Sequence, residues 1–176
     1  MEEIEVPTEH LHEHIHEAAE HETSKSRWSL YLAISTALMA VLAALASLQA
    51  GHHSNEALIS RVLASDQWGY FQAKGIKSDI TQLMMASKTG QDTIPFHNKL
   101  MQYKSEKEKI KTIAEDYEKE STEHLDRHII LARSVTFFQV SIALSAISIL
   151  TRKRFMWYFS LALTLIGVWQ FIMGNI

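Results

Sequence analysis

The chain has 176 residues, 17 Lys and Arg against 20 Asp and Glu, a formal net charge of -3 at pH 7, ten histidines and no cysteine. The missing cysteines exclude disulfides, thiolate metal sites, thiol catalysis and cysteine-ligated iron–sulfur clusters, and the charge balance leaves no net basic patch for nucleic acid. These averages would suit one soluble domain, but the charges are spread very unevenly along the chain.

Residues 1–27 are acidic and histidine-rich, and HLHEHIHEAAEH places five histidines between His10 and His21. Pro7 and Thr8 mark a helix start, and at 100° per residue His10, His14, Glu17 and His21 share one stripe, beside an apolar stripe of Leu11, Ile15 and Ala18. This predicts a short amphipathic N-terminal helix. Three readings stay open. His10 and His14, at i and i+4, could chelate a divalent metal such as zinc with Glu17 as third ligand. The histidines could act as a pH sensor against eight glutamates. The segment could also be a solvated helix that packs its apolar stripe on a neighbour. HEHIH lacks the HExxH spacing of a metalloprotease helix.

From Trp28 to Gly51 no charged residue occurs in 24 positions, enough for a helix to cross a hydrocarbon core about 30 Å thick. Some two dozen acidic and histidine-rich residues precede the run and no short basic start is present, so it does not read as a cleavable signal. Residues 28–51 are therefore expected to be a first transmembrane helix. Ala33, Ala37, Ala40, Ala44, Ser47 and Gly51 recur every four or three residues, a small-residue face that permits close helix approach. That face predicts self-association, with intramolecular packing as the competing reading.

Residues 52–133 read as an extramembrane helical hairpin with its tip near 89–95. Leu58, Val62, Ala73, Ile76, Ile80, Leu83 and Met84 give one apolar stripe, with Trp68, Tyr70 and Phe71 as an aromatic cluster. Leu100, Ile110, Ile113, Tyr117 and Leu125 give a thinner one amid dense alternating charge, the mark of a solvent-exposed helix. In TGQDTIPF, Gly90 can close the first helix and Pro95 can sit in the first turn of the second. A fully helical first arm would extend ~57 Å at ~1.5 Å per residue. Gly69 and Gly75 predict a bend or break near QWGYFQAKG. Antiparallel pairing about Asp92 would bring His53, Glu56, His124 and His128 together as a second candidate metal cluster, with ordinary ion pairs as the plainer reading.

The uncharged runs 134–151 and 155–174, divided by Arg152, Lys153 and Arg154, predict two further transmembrane helices joined by a tight basic loop. Ser134, Ser141, Ser145 and Ser148 share one face of the first of them. Such a face suits either a narrow polar pore in an oligomer or serine hydroxyls bonded to their own helix. No charged side chain lies within any span, which argues against a proton-coupled transporter. Lys25, Arg27 and the 152–154 loop lie on one side of the membrane, so the positive-inside rule makes the N-terminus cytoplasmic and the hairpin and C-terminus external.

The opening EVPTEHLHEHIHE, the AGHHSNEALI that ends the first span and the block SDQWGYFQAKGIKSDI resemble the bacterial membrane-protein family called domain of unknown function 4337. The specific similarity covers the first 80 or so residues, and the three-span layout covers the rest. The resemblance implies a helical inner-membrane protein with no assigned activity. It supplies no catalytic residues, and its motif positions are His10, His12, His14, His16, His52, His53, Asp66, Gln67 and Trp68.

No nucleophile elbow, phosphate-cradling glycine loop, haem-attachment motif or paired carboxylates outside charged helical surface are present, so the reading is non-enzymatic. The chain is expected to be an all-α integral membrane protein that contacts the bilayer and copies of itself. Its expected role is structural or in assembly, built on the projecting hairpin. The alternative is an oligomeric ion channel or a metal- or pH-responsive protein using the serine face and the histidine clusters.

Overall fold

A computed structural model describes residues 27–176, and all of its regular structure is helical. Helix α1 runs Arg27–Ala86, a short 3-10 helix follows at Gly90–Thr93, α2 runs Ile94–Thr151 and α3 runs Arg154–Asn175. All three α-helices are long and apolar enough over part of their length to cross a membrane. The expected N-terminal helix, with His10, His14 and Glu17, lies outside the described residues.

The expected span and hairpin arm merge into one helix in both α1 and α2. No helix break occurs at Gly69 or Gly75, contrary to the sequence expectation. Each glycine costs only about 1 kcal/mol relative to alanine, which a helix already nucleated on both sides absorbs. A Cβ at Gly75 would meet only Lys107 Nζ, at 3.6 Å, and one at Gly69 would meet nothing within 4 Å.

The turns follow local chemistry. Past Ala86, the amides of Ser87 and Lys88 donate to the carbonyls of Met84 and Met85, tightening the end of α1. Gly90 then takes φ 65°, a left-handed conformation that glycine adopts without a Cβ penalty. Pro95 occupies the first turn of α2, where no backbone donor is needed. Between α2 and α3 the chain reverses within Arg152 and Lys153. Arg152 takes φ 53°, and Ser148 Oγ donates to the Lys153 carbonyl at 3.0 Å.

The chain divides into two compact units. Among the described residues, one comprises 27–52 with Arg127–Ile176, and the other is His53–Asp126. The division at His52 falls one residue from the predicted end of the first apolar run.

In the first unit, stretches of α1, α2 and α3 pack around Met39, Ala43, Ala46, Phe138 and Ile142. Partner numbers run in opposite directions on neighbouring helices: Thr36 meets Ser145 and Ala50 meets His128, while Phe138 faces Gly167 and Leu131 faces Gly174. Much apolar surface remains outside, including Leu38, Leu48, Phe155, Leu165 and Trp169.

In the second unit the pairs again run in opposite directions along α1 and α2. His53 meets His124, Ala57 meets Ser121, Trp68 meets Glu118, Phe71 meets Lys107 and Lys74 meets Glu106. The contact face on α1 is small, with Ala57, Ser60, Ala64 and Thr81 buried. On α2 it contains Ala114 and Ser121.

Candidate functional site

The four serines of α2 carry the chemistry expected of a pore, and each has no solvent exposure. Their spacing puts them on the face that meets the chain's own helices. Ser141 Oγ donates to the Phe137 carbonyl at 2.8 Å, and Ser145 Oγ lies 2.6 Å from Thr36 Oγ1. Thr36 is itself bonded to the Leu32 carbonyl. Ser148 closes the α2–α3 turn, and Ser134 Oγ has no hydrogen-bond partner among the described residues. These side chains are short enough to let helix backbones approach closely. The expected pore face is therefore enclosed within a single chain.

The small-residue face of α1 is divided. Ala33, Ala40 and Ser47 are half-buried, while Ala37, Ala44 and Gly51 are exposed. The helix face used inside the chain is the stripe one residue earlier: Leu32, Thr36, Met39, Ala43, Ala46 and Ala50, all buried. A shift of one residue is a rotation of about 100° on a helix, and Ala43, Ala46 and Ala50 make this neighbouring stripe small as well. Both stripes have the same spacing, so periodicity alone did not separate them.

The sequence reading missed the inner seam of α3. Ser160, Gly167 and Gly174, spaced by seven, are its buried residues. A Cβ at Gly167 would lie 2.9 Å from Phe138 Cε1, and one at Gly174 would lie 2.8 Å from Leu131 Cγ. Phe138 and Leu131 are fully buried. The glycines thus leave room for two large side chains of α2, and the seven-residue spacing was the available signal. Trp157, one turn from this seam, donates to Ser35 Oγ at 3.1 Å.

The residues of the second histidine group lie as follows. His53 Nδ1 and His124 Nδ1 lie 2.9 Å apart, with ring centroids 5.2 Å apart and planes inclined by 34°. His128 donates from Nδ1 to the Ala50 carbonyl at 2.8 Å. Glu56 is half-buried. Among the described residues, no three of His, Asp and Glu converge at metal-binding distance.

Of the QWGYFQAKG block, Trp68 Nε1 donates to Glu118 Oε1 at 3.0 Å and stacks edge-on against Phe71. Lys107 lies 4.5 Å over the Phe71 ring. Asp66 is exposed and Gln67 half-buried. Nearby, the Lys74 ammonium and then the Gln102 amide hold the Glu106 carboxyl below the usual carboxylate range. These contacts join α1 to α2 within the second unit.

The remaining feature is an outward stripe on α1 in the second unit. Ile59, Val62, Ala73, Ile76, Ile80 and Leu83, with Asp66 and Gly69 completing the series, are spaced alternately by three and four. All are exposed, Leu83 by 73% and Ile76 by 61%. A seven-residue apolar repeat, interrupted here at Asp66 and Gly69, is the pattern of a helix that supercoils with another. The seam of α1 against α2, with Ala57, Ser60, Ala64 and Thr81, is small and partly polar, whereas the outer stripe carries apolar residues at six of its eight positions and is open in the single chain.

Comparison with curated proteins and with solved structures gives no match. The family described as Domain of unknown function (DUF4337) matches residues 28–176, nearly the whole described chain. The family match does not extend over the histidine-rich opening. Two regions that carried the sequence resemblance, AGHHSNEALI and SDQWGYFQAKGIKSDI, lie within it, and the chain belongs to the DUF4337 family.

Proposed function

We propose that the protein is a homo-oligomeric inner-membrane protein whose α1–α2 hairpin has a structural or assembly role outside the bilayer. The observation that carries this reading is the exposed heptad stripe from Ile59 to Leu83. Lipid accounts for exposed apolar residues within a span but not for those on a helix flanked by charged residues such as Arg61, Lys77 and Asp79. Large exposed apolar patches mark interaction surfaces.

The occupant is the same stripe of a second copy. A seven-residue repeat is matched by a helix with the same repeat, whereas the outer face of α2 is dominated by Lys and Glu and does not match it. Two copies inserted with one topology present α1 in the same direction, so the seam is a parallel one. Ala37, Ala44 and Gly51, exposed on the apolar part of α1, permit close approach there too.

The nanodisc-embedded protein is expected to have the mass of more than one chain. A particle holding a single chain would overturn the reading.

The topology supported by Arg152, Lys153 and Arg154, together with Lys25 and Arg27, is N-terminus cytoplasmic and hairpin external. Because the chain has no cysteine, Ser24→Cys and Ser105→Cys each give one labelling site. An impermeant thiol reagent applied to spheroplasts, which opens the periplasm, should label Ser105→Cys and not Ser24→Cys. The opposite pattern would invert the topology.

A further inference from the structure

We propose that His53 and His124 form a binding site for a first-row transition-metal dication, zinc or a neighbour in the series. The two imidazoles come from different helices of the His53–Asp126 unit and face each other through the same ring nitrogen, Nδ1, at 2.9 Å. Only one hydrogen fits between them when both rings are neutral, so one nitrogen presents a lone pair to the other. Imidazole is a preferred ligand for zinc, copper and nickel.

The geometry is close to that of a bound ion. Zn–N bonds are about 2.0–2.1 Å, so two nitrogens on one tetrahedral zinc stand roughly 3.3 Å apart. The pair needs to open by only a few tenths of an ångström. The scaffold for this is already present. Ser121 Oγ donates to the Ala57 carbonyl at 2.8 Å, a buried cross-helix bond one turn from each histidine. Both rings are half-buried between the helices, which limits the rotamer freedom lost on binding.

Glu56 can contribute a third ligand. Residues i and i+3 on a helix have Cβ atoms about 5–6 Å apart, so this half-buried carboxylate shares a face with His53, and a rotamer change can bring it to the ion. Water completes the shell. An ion held by both α1 and α2 would staple the two arms of the unit and stabilise it by mass action.

The test uses the full chain in nanodiscs, with His10, His12, His14, His16 and His21 all replaced by alanine to remove competing imidazoles. Titration calorimetry with zinc alone should show one site per chain. In that background, affinity should fall at least tenfold with His53→Ala. It should fall equally with His124→Asn, whose amide can retain a hydrogen bond to His53 without supplying an imidazole ligand. Zinc should also raise the melting temperature of the parent and leave that of His124→Asn unchanged, provided the latter keeps its helical content. Absence of a zinc site in the five-alanine parent, or an unchanged affinity in the two variants, would overturn the proposal.

Discussion

Replacing Gly174 or Gly167 by leucine is expected to destabilise the packing of α2 against α3 by about 1–3 kcal/mol or more, the usual cost of overpacking a filled core. The first added carbon at Gly174 already lies 2.8 Å from Leu131 Cγ and 2.9 Å from Leu131 Cδ2, with Ile130 Cγ2 at 3.3 Å. At Gly167 it lies 2.9 Å and 3.1 Å from two Phe138 ring atoms and 3.3 Å from Phe137 Cβ. Leu131 and Phe138 are enclosed and have little room to swing away. A leucine brings three further carbons into the same space. The matched control is Gly75→Ala, outside the outer stripe, where an added Cβ would meet only the flexible end of Lys107, Nζ at 3.6 Å. There the gain in helix propensity should stabilise by up to about 1 kcal/mol. Denaturant titration of the detergent-solubilised protein, followed by far-ultraviolet circular dichroism, compares the variants. Equal stabilities for Gly174→Leu, Gly167→Leu and the parent would refute the assignment of this seam as a close contact.

Placing charge on the outer stripe, as Ile76→Glu with Ile80→Glu, is expected to convert the oligomer to single chains while leaving each chain folded. Both residues are more than half exposed in the isolated chain, by 61% and 52%, so their replacement removes no buried core side chain from it. In the proposed parallel seam they would meet the same residues of a second copy. Two pairs of like charges would then be buried without partners, and an uncompensated buried charge costs several kcal/mol. Such a term exceeds the 1.4 kcal/mol that shifts an association constant tenfold. A single glutamate on the charged outer face of α2, Lys104→Glu, should change neither mass nor fold. Mass photometry of nanodisc particles across a dilution series reads both variants. A double variant that keeps the parent's mass would place the oligomer contact elsewhere, with the exposed Ala37, Ala44 and Gly51 the next surface to substitute.

The large-scale order of the chain was legible because it rests on composition and local stereochemistry. Twenty-four uncharged positions from Trp28 and the two later runs identify three stretches able to cross a membrane, whatever they pack against. Gly90 and Pro95 bracket the tip, since positive φ and a missing donor are properties of single residues. Dense charge in YKSEKEKIKTIAEDYEKES identified a helix with one thin contact face; of the stripe expected on it Leu100, Ile110 and Tyr117 are half-buried, whereas Ile113 and Leu125 are exposed and Ala114 and Ser121 are buried instead.

Selection among equivalent faces was not legible, because several stripes of the same period compete and a partner's shape decides between them. On α1 the stripes beginning at Leu32 and Ala33 are both small and both spaced by four and three. The first is inside because its hydroxyl at Thr36 meets Ser145 and its alanines admit Phe138. The serines of α2 read equally as lining or as packing until α1 and α3 close over them. His53 and His124 come together, while His128 turns to the Ala50 carbonyl, a choice that depends on how the two helices pair and not on the spacing along either one. The sequence by itself determined the helical class, the three apolar stretches and the residues of the two turns, since these follow from hydrophobic content and local stereochemistry along one segment, but not that span and arm form one unbroken helix through Gly69 and Gly75. The tertiary structure alone decided which stripe is inner, which glycines are contacts and which histidines meet, since these depend on volumes and distances between segments far apart in the chain.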